Sequence, residues 1–160
     1  MAGPYRQPAS NDVLDGNVAR ATKEYPIDAT VQVQDQIFPS VAPETLEVGR
    51  ELALAIADAI SETPAANTLV LDVHAVSPLA DFFVICSGEN ERQLRAISRE
   101  VGEQLATAGI RPKRSEGTAE GGWILLDYGD VVVHIFHEDQ RTFYRLEDLW
   151  SEAHTLLSIQ

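Results

Sequence analysis

Gly122-Trp123-Ile124-Leu125-Leu126-Asp127-Tyr128-Gly129-Asp130-Val131-Val132-Val133-His134-Ile135-Phe136 is the stretch on which the fold turns. Two apolar runs rich in β-branched and aromatic residues meet at Tyr128-Gly129-Asp130, where Gly129 supplies the positive φ of a tight reversal, so the stretch reads as a β-hairpin. Side chains alternate across a strand. Trp123, Leu125 and Asp127 therefore share one face, with Ile124 and Leu126 on the other; in the next strand Val132, His134 and Phe136 alternate with Val131, Val133 and Ile135. The aliphatic face suits a core. The face carrying Trp, Asp and His fits either of two placements: an amphipathic contact surface built on an aromatic anchor, or ordinary core under a covering helix.

Outward from the hairpin, strand and helix signals alternate. Leu52, Ile56 and Ile60 recur every four positions among alanines, predicting a helix that starts after Pro43 and ends before Pro64. Leu69, Leu71 and Val73 alternate with Val70, Asp72 and His74, a strand with a partly polar second face. Asp81 to Ser87 is apolar on both faces, which predicts a strand in the middle of the sheet. Asn90 followed by Gln93 is a reciprocal capping pair, and Leu94, Ile97, Val101 and Leu105 mark the buried stripe of a helix that Gly109 closes. Lys113 to Glu116 reads as a short edge strand. Phe143, Leu146 and Trp150, at i, i+3 and i+7, predict one final helix. The class is α/β: a mixed β-sheet with flanking helices, parallel where the long helix crosses over and antiparallel at the hairpin. Residues 1–43, rich in Pro, Gln, Asn, Asp and Ala without an apolar period, read as a flexible N-terminal arm, 44–151 as the folded domain and 152–160 as a C-terminal tail.

The formal charge of -13 excludes wrapping of nucleic acid, because the summed field repels a phosphate backbone, and it favours a basic protein partner. The single cysteine, Cys86, cannot close an internal disulfide and fits a reducing compartment. No apolar run approaches the roughly 20 residues that span a bilayer. Up to Glu44, three basic residues stand against six acidic ones, unlike an Arg-rich transit peptide, so the expected location is the cytoplasm.

Chemistry-bearing patterns are sparse. His74, His134, His137 and His154 lack metal-ligand spacing, so no metal or other cofactor is expected. Cys86, flanked by apolar residues, reads as a buried hydrophobe rather than a nucleophile. Arg92, Arg95 and Arg99, with Arg111, Lys113 and Arg114 after them, are interleaved with acids and read as a solvated face, with no specific nucleic-acid site. Ser87-Gly88, between a strand and a capped helix, sits where a phosphate could be cradled. With Asp72 and Asp81 it motivates one enzymatic alternative, a metal-dependent nucleotidyl or phosphoryl transferase, against which stands the missing second carboxylate beside Asp72.

Several motifs, taken together in order, resemble one family. Ala80-Asp81-Phe82-Phe83-Val84-Ile85 with Ser87-Gly88, Arg92-Gln93-Leu94-Arg95-Ala96-Ile97, Glu116-Gly117, the hairpin from Gly122 to His134, and Phe143-Tyr144-Arg145-Leu146-Glu147-Asp148-Leu149-Trp150 resemble the ribosomal silencing factors, or Iojap-like proteins, from about Leu46 to Trp150. The resemblance implies a nucleotidyltransferase-like topology without catalytic carboxylates and a non-enzymatic translational repressor. It implies binding to the large ribosomal subunit through large-subunit ribosomal protein 14, obstruction of small-subunit joining when nutrients are scarce, and a homodimeric free form. Carried onto this chain, the partner surface is Trp123, Leu125, Asp127, Asp130 and His134, with Glu116 as neighbour.

Overall fold

The computed structural model describes residues 43–160, so the expected arm lies outside the described residues apart from Pro43. Helix α1 (Pro43–Ser61) leads to β1 (Ala66–Asp72), β2 (Phe82–Gly88) and helix α2 (Glu91–Thr107). Strands β3 (Arg114–Thr118), β4 (Trp123–Asp127) and β5 (Val131–His137) follow, then α3 (Glu138–Tyr144), α4 (Leu146–Leu149) and β6 (His154–Ile159). These strands form one mixed sheet in the order β3-β4-β5-β2-β1-β6. Only β2 and β5 run parallel; every other pair is antiparallel.

The central β2–β5 pair follows from composition. Every residue of β2 is buried, as its two-sided apolar run requires. The β4–β5 hairpin forms as expected: Gly129 has φ +91°, Tyr128 donates its N–H to the Val131 carbonyl at 2.9 Å, and Asp127 Oδ1 accepts the Gly129 N–H at 2.8 Å. The α2 cap is also as read, with Asn90 Oδ1 accepting from the Gln93 N–H and Gln93 Oε1 from the Glu89 N–H, both at 2.9 Å.

Two cores lie on opposite faces of the sheet. On the first, Ile56 and Ile60 of α1 and Leu94, Ile97, Val101 and Leu105 of α2 close over Val70, Val84, Ile124, Leu126, Val131, Val133 and Ile135. On the second, Leu71, Phe83, Ile85, Val132 and Phe136 meet Val73 and Ala80 from the loop after β1, and Leu146, Trp150 and Ala153 from the C-terminal segment.

The C-terminal segment corrects two expectations. No single helix carries Phe143, Leu146 and Trp150, because Arg145 is left-handed at φ +48° and splits the segment into α3 and α4. The break turns Phe143 outward to 77% exposure while Leu146 and Trp150 pack inward. Residues 154–159, expected within a tail, pair antiparallel with β1 as β6. Among the described residues no helix is long and apolar enough to cross a membrane.

Candidate functional site

Register aligns the expected site residues in rows across the sheet. Glu116, Leu125, His134 and Ile85 are successive partners, flanked by the rows Thr118-Trp123-Phe136 and Arg114-Asp127-Val132. Directly paired residues share a face, so Glu116, Leu125, Trp123, Asp127 and His134 all point to the second face. Coverage thins along these rows. Val132, His134 and Phe136 are buried, Trp123, Leu125 and Asp127 are half-buried, and all of β3 is exposed.

Trp123 stands at the boundary. Its ring centroid lies 4.7 Å from Phe136, 4.9 Å from Tyr144 and 5.9 Å from His134, and its indole N–H donates to His134 Nδ1 at 3.2 Å. Tyr144 is itself half exposed and meets Phe143 edge to face at 5.1 Å. Aromatic rings thus step from the buried Phe136 through Trp123 and Tyr144 to Phe143 at the surface. Sequence reading missed Tyr144 and Phe143 as site residues. The one signal for them is the motif Phe143-Tyr144-Arg145-Leu146-Glu147-Asp148-Leu149-Trp150, which carries the family resemblance and from which no site residue is drawn.

Two of the expected contact residues have other surroundings. His134 is 5% exposed, with Phe83 edge-on at 5.1 Å and Phe136 stacked at 6.1 Å, so it lies beneath the surface of that face rather than on it as expected. Burial holds its imidazole down at about 4, neutral and able to accept a hydrogen bond from the indole N–H. Asp130 is exposed but sits in the hairpin turn, where its carbonyl accepts the Asp81 and Phe82 N–H groups. Asp127 is tied down by Arg114, whose Nε donates to Oδ2 at 2.9 Å, and Arg114 also pairs with Glu116.

The transferase arrangement does not converge. Asp72 is paired with Phe82 at the start of β2, next to Asp81, whereas Ser87-Gly88 lies at its end, roughly 17 Å away at the rise of a strand. Burial first, then the Asp130 carboxylate, raise Asp81. Asp72 is hydrogen-bonded to His74. Gly88 packs so closely on α2 that an added Cβ would lie 2.7 Å from Leu94 Cδ1. The Ser87 hydroxyl is buried and bound by Arg141 Nη1 at 2.9 Å; Arg141 also donates to the Asn67 carbonyl and, through Nε at 2.8 Å, to Glu147. This guanidinium pins α3 across the ends of β1 and β2 and lines a cleft of about 830 Å³ beside Glu138 and Arg145. Cys86 is inert, its thiol pushed up to about 12 by burial. Among the described residues, no group of three or more His, Cys, Asp or Glu side chains could hold a metal ion.

The protein family described as "Ribosomal silencing factor during starvation" matches residues 47–160, from the first turns of α1 through β6. The chain belongs to the ribosomal silencing factor family. It is 45% identical over 97 residues to ribosomal silencing factor RsfS of Bacillus subtilis (strain 168), covering 61% of this chain and 82% of that one. Against the RsfS of Halalkalibacterium halodurans it is 41% identical over 107 residues, covering 67% and 92%. A crystal structure of a protein from Chromobacterium violaceum superposes with a TM-score of 0.61 at 30% identity, covering 64% of this chain and 85% of that chain. The role of a ribosomal silencing factor, with the ribosome as partner, comes with membership.

Proposed function

We propose that this silencing factor docks on the large ribosomal subunit through large-subunit ribosomal protein 14, using the half-open second face at β3 and β4, and represses translation by occupying the space the small subunit needs. The observation that carries this reading is Trp123. Its half-buried indole continues into the exposed rings of Tyr144 and Phe143, bordered by the carboxylates of Glu116 and Asp127. An aromatic anchor whose rim sets two carboxylates around the single guanidinium of Arg114 suits a basic protein surface: the indole supplies buried area and the net negative rim steers approach. Steric occlusion asks for no bond to be made or broken, which accords with the dispersal of Asp72 and Asp81 from Ser87.

The contact set is then Trp123, Leu125, Asp127 and Glu116, extended by Tyr144 and Phe143; Asp130 falls outside it, because its Cβ sits beside Gly49 of α1, the helix over the first face. The free protein is a homodimer in this reading, and it acts in the cytoplasm under nutrient limitation. Sedimentation with purified large subunits tests the docking. Wild type is expected to co-migrate with the subunits, and a folded Trp123→Ala protein to bind about thirtyfold more weakly. Unchanged binding by that variant would remove the indole from the account. Loss of small-subunit joining when the protein is added in excess tests the occlusion.

A further inference from the structure

We infer that His134 is a positioning residue: by accepting the Trp123 indole N–H from a buried position on the same sheet face, it holds the indole in the one orientation that presents its free edge, with Tyr144 and Phe143, to a partner. This rests on the docking reading above and adds a residue that touches no partner.

The geometry is specific. The indole Nε1 to His134 Nδ1 distance is 3.2 Å, and β4–β5 register places His134 opposite Leu125, one row from Trp123. Phe83, edge-on at 5.1 Å, and Phe136, stacked at 6.1 Å, fix the imidazole in turn. An acceptor at Nδ1 requires that the ring proton sit on Nε2. That Nε2 is buried without a hydrogen-bond partner among the described residues.

A buried donor left unsatisfied destabilises a fold, so an apolar ring at position 134 would pack at no greater cost. His134 is therefore poorly explained as a stabilising core residue. The Nδ1 acceptor gives it a reason to be there. A half-exposed indole with a free N–H could swing toward solvent, and docking would then require ordering it again. Holding it in advance removes that step.

The test uses the full-length ¹⁵N-labelled chain. Wild type is expected to show a scalar coupling across the hydrogen bond between Trp123 Nε1 and His134 Nδ1. His134→Phe is expected to lose the coupling, keep its unfolding midpoint at pH 7.5, and dock on purified large subunits about fivefold more weakly, the effect of one hydrogen bond. His134→Asn, whose Oδ1 falls near the position of Nδ1, is expected to restore docking to within about twofold of wild type. A residue that only filled space would show the reverse order, because Phe fills the site better than Asn. If Trp123→Ala loses docking while His134→Phe retains it in full, the positioning role is overturned and the docking surface stands. If Trp123→Ala itself docks as wild type, both are overturned. The coupling is read on wild type alone, so its absence overturns the inference even if the Phe variant does not fold.

Discussion

The two faces of one sheet are closed in different ways. The first is sealed by 19 residues of α1 and 17 of α2, with Ile56, Ile60, Leu94, Ile97 and Val101 essentially inaccessible to solvent. The second is closed by a loop and two short helices, and its cover stops at β4. Composition follows coverage. Apart from Phe82, Cys86 and Tyr128, aliphatic side chains fill the sealed face, while the partly open face adds Trp123, His134, Tyr144 and Asp127 to its aliphatic floor, side chains with a polar handle. Stability and recognition therefore sit largely on opposite sides of the same strands, and substitutions should separate them.

The largest separation is expected from Ile97→Ala. Deleting a fully buried aliphatic chain under α2 should cost about 3 to 4 kcal/mol in chemical denaturation and leave docking by the folded fraction unchanged. Equal loss of docking would break the division between the faces.

Acidification addresses the second face through His134. Burial places its folded value at about 4, below the ordinary 6.5, so the unfolded chain takes up the proton first. Stability is therefore undiminished by this group above about pH 6.5 and falls as pH drops toward about 4, by roughly 3 kcal/mol at most. Subtracting the urea-denaturation profile of His134→Phe from that of wild type should isolate this slope; identical profiles would contradict a buried neutral imidazole.

Trp123→Ala is expected to lose about 2 kcal/mol of docking free energy in co-sedimentation by the folded fraction, where Ile97→Ala loses none. The smallest effect sharpens the boundary of the surface. Phe143→Ser removes an exposed ring, so stability should stay within about 0.5 kcal/mol while docking falls by about 1 kcal/mol. A stability loss as large as that at Ile97 would return Phe143 to the core.

What the sequence disclosed follows the same division. Elements whose pattern is set by neighbours in sequence were legible: the reversal at Gly129, the Asn90 and Gln93 cap, the stripe from Leu94 to Leu105 and the two-sided burial of β2. Alternation also sorted the hairpin residues correctly between the two faces. Burial by distant segments was not legible. Alternation puts Phe136 beside His134, but nothing near it in sequence says that Phe83 of β2 closes on its ring. Phe143, Leu146 and Trp150 kept a helical period that a left-handed Arg145 interrupts, and Arg carries no local signal for that conformation as Gly does. β6, at the sheet edge with only Leu156 and Leu157 half-buried, has too little alternation to stand out from a polar tail. Tyr144 and Phe143 lie at the end of α3, just before that break, where Tyr144 meets Trp123 and Phe143 meets Tyr144.

Amide hydrogen exchange of the full-length protein, with and without purified large subunits, tests the division most directly. Docking through the half-open face predicts slowed exchange in β3, β4 and the Arg141–Tyr144 turn, with α1 and α2 unchanged. Slowed exchange confined to the outer surfaces of α1 and α2 would contradict it.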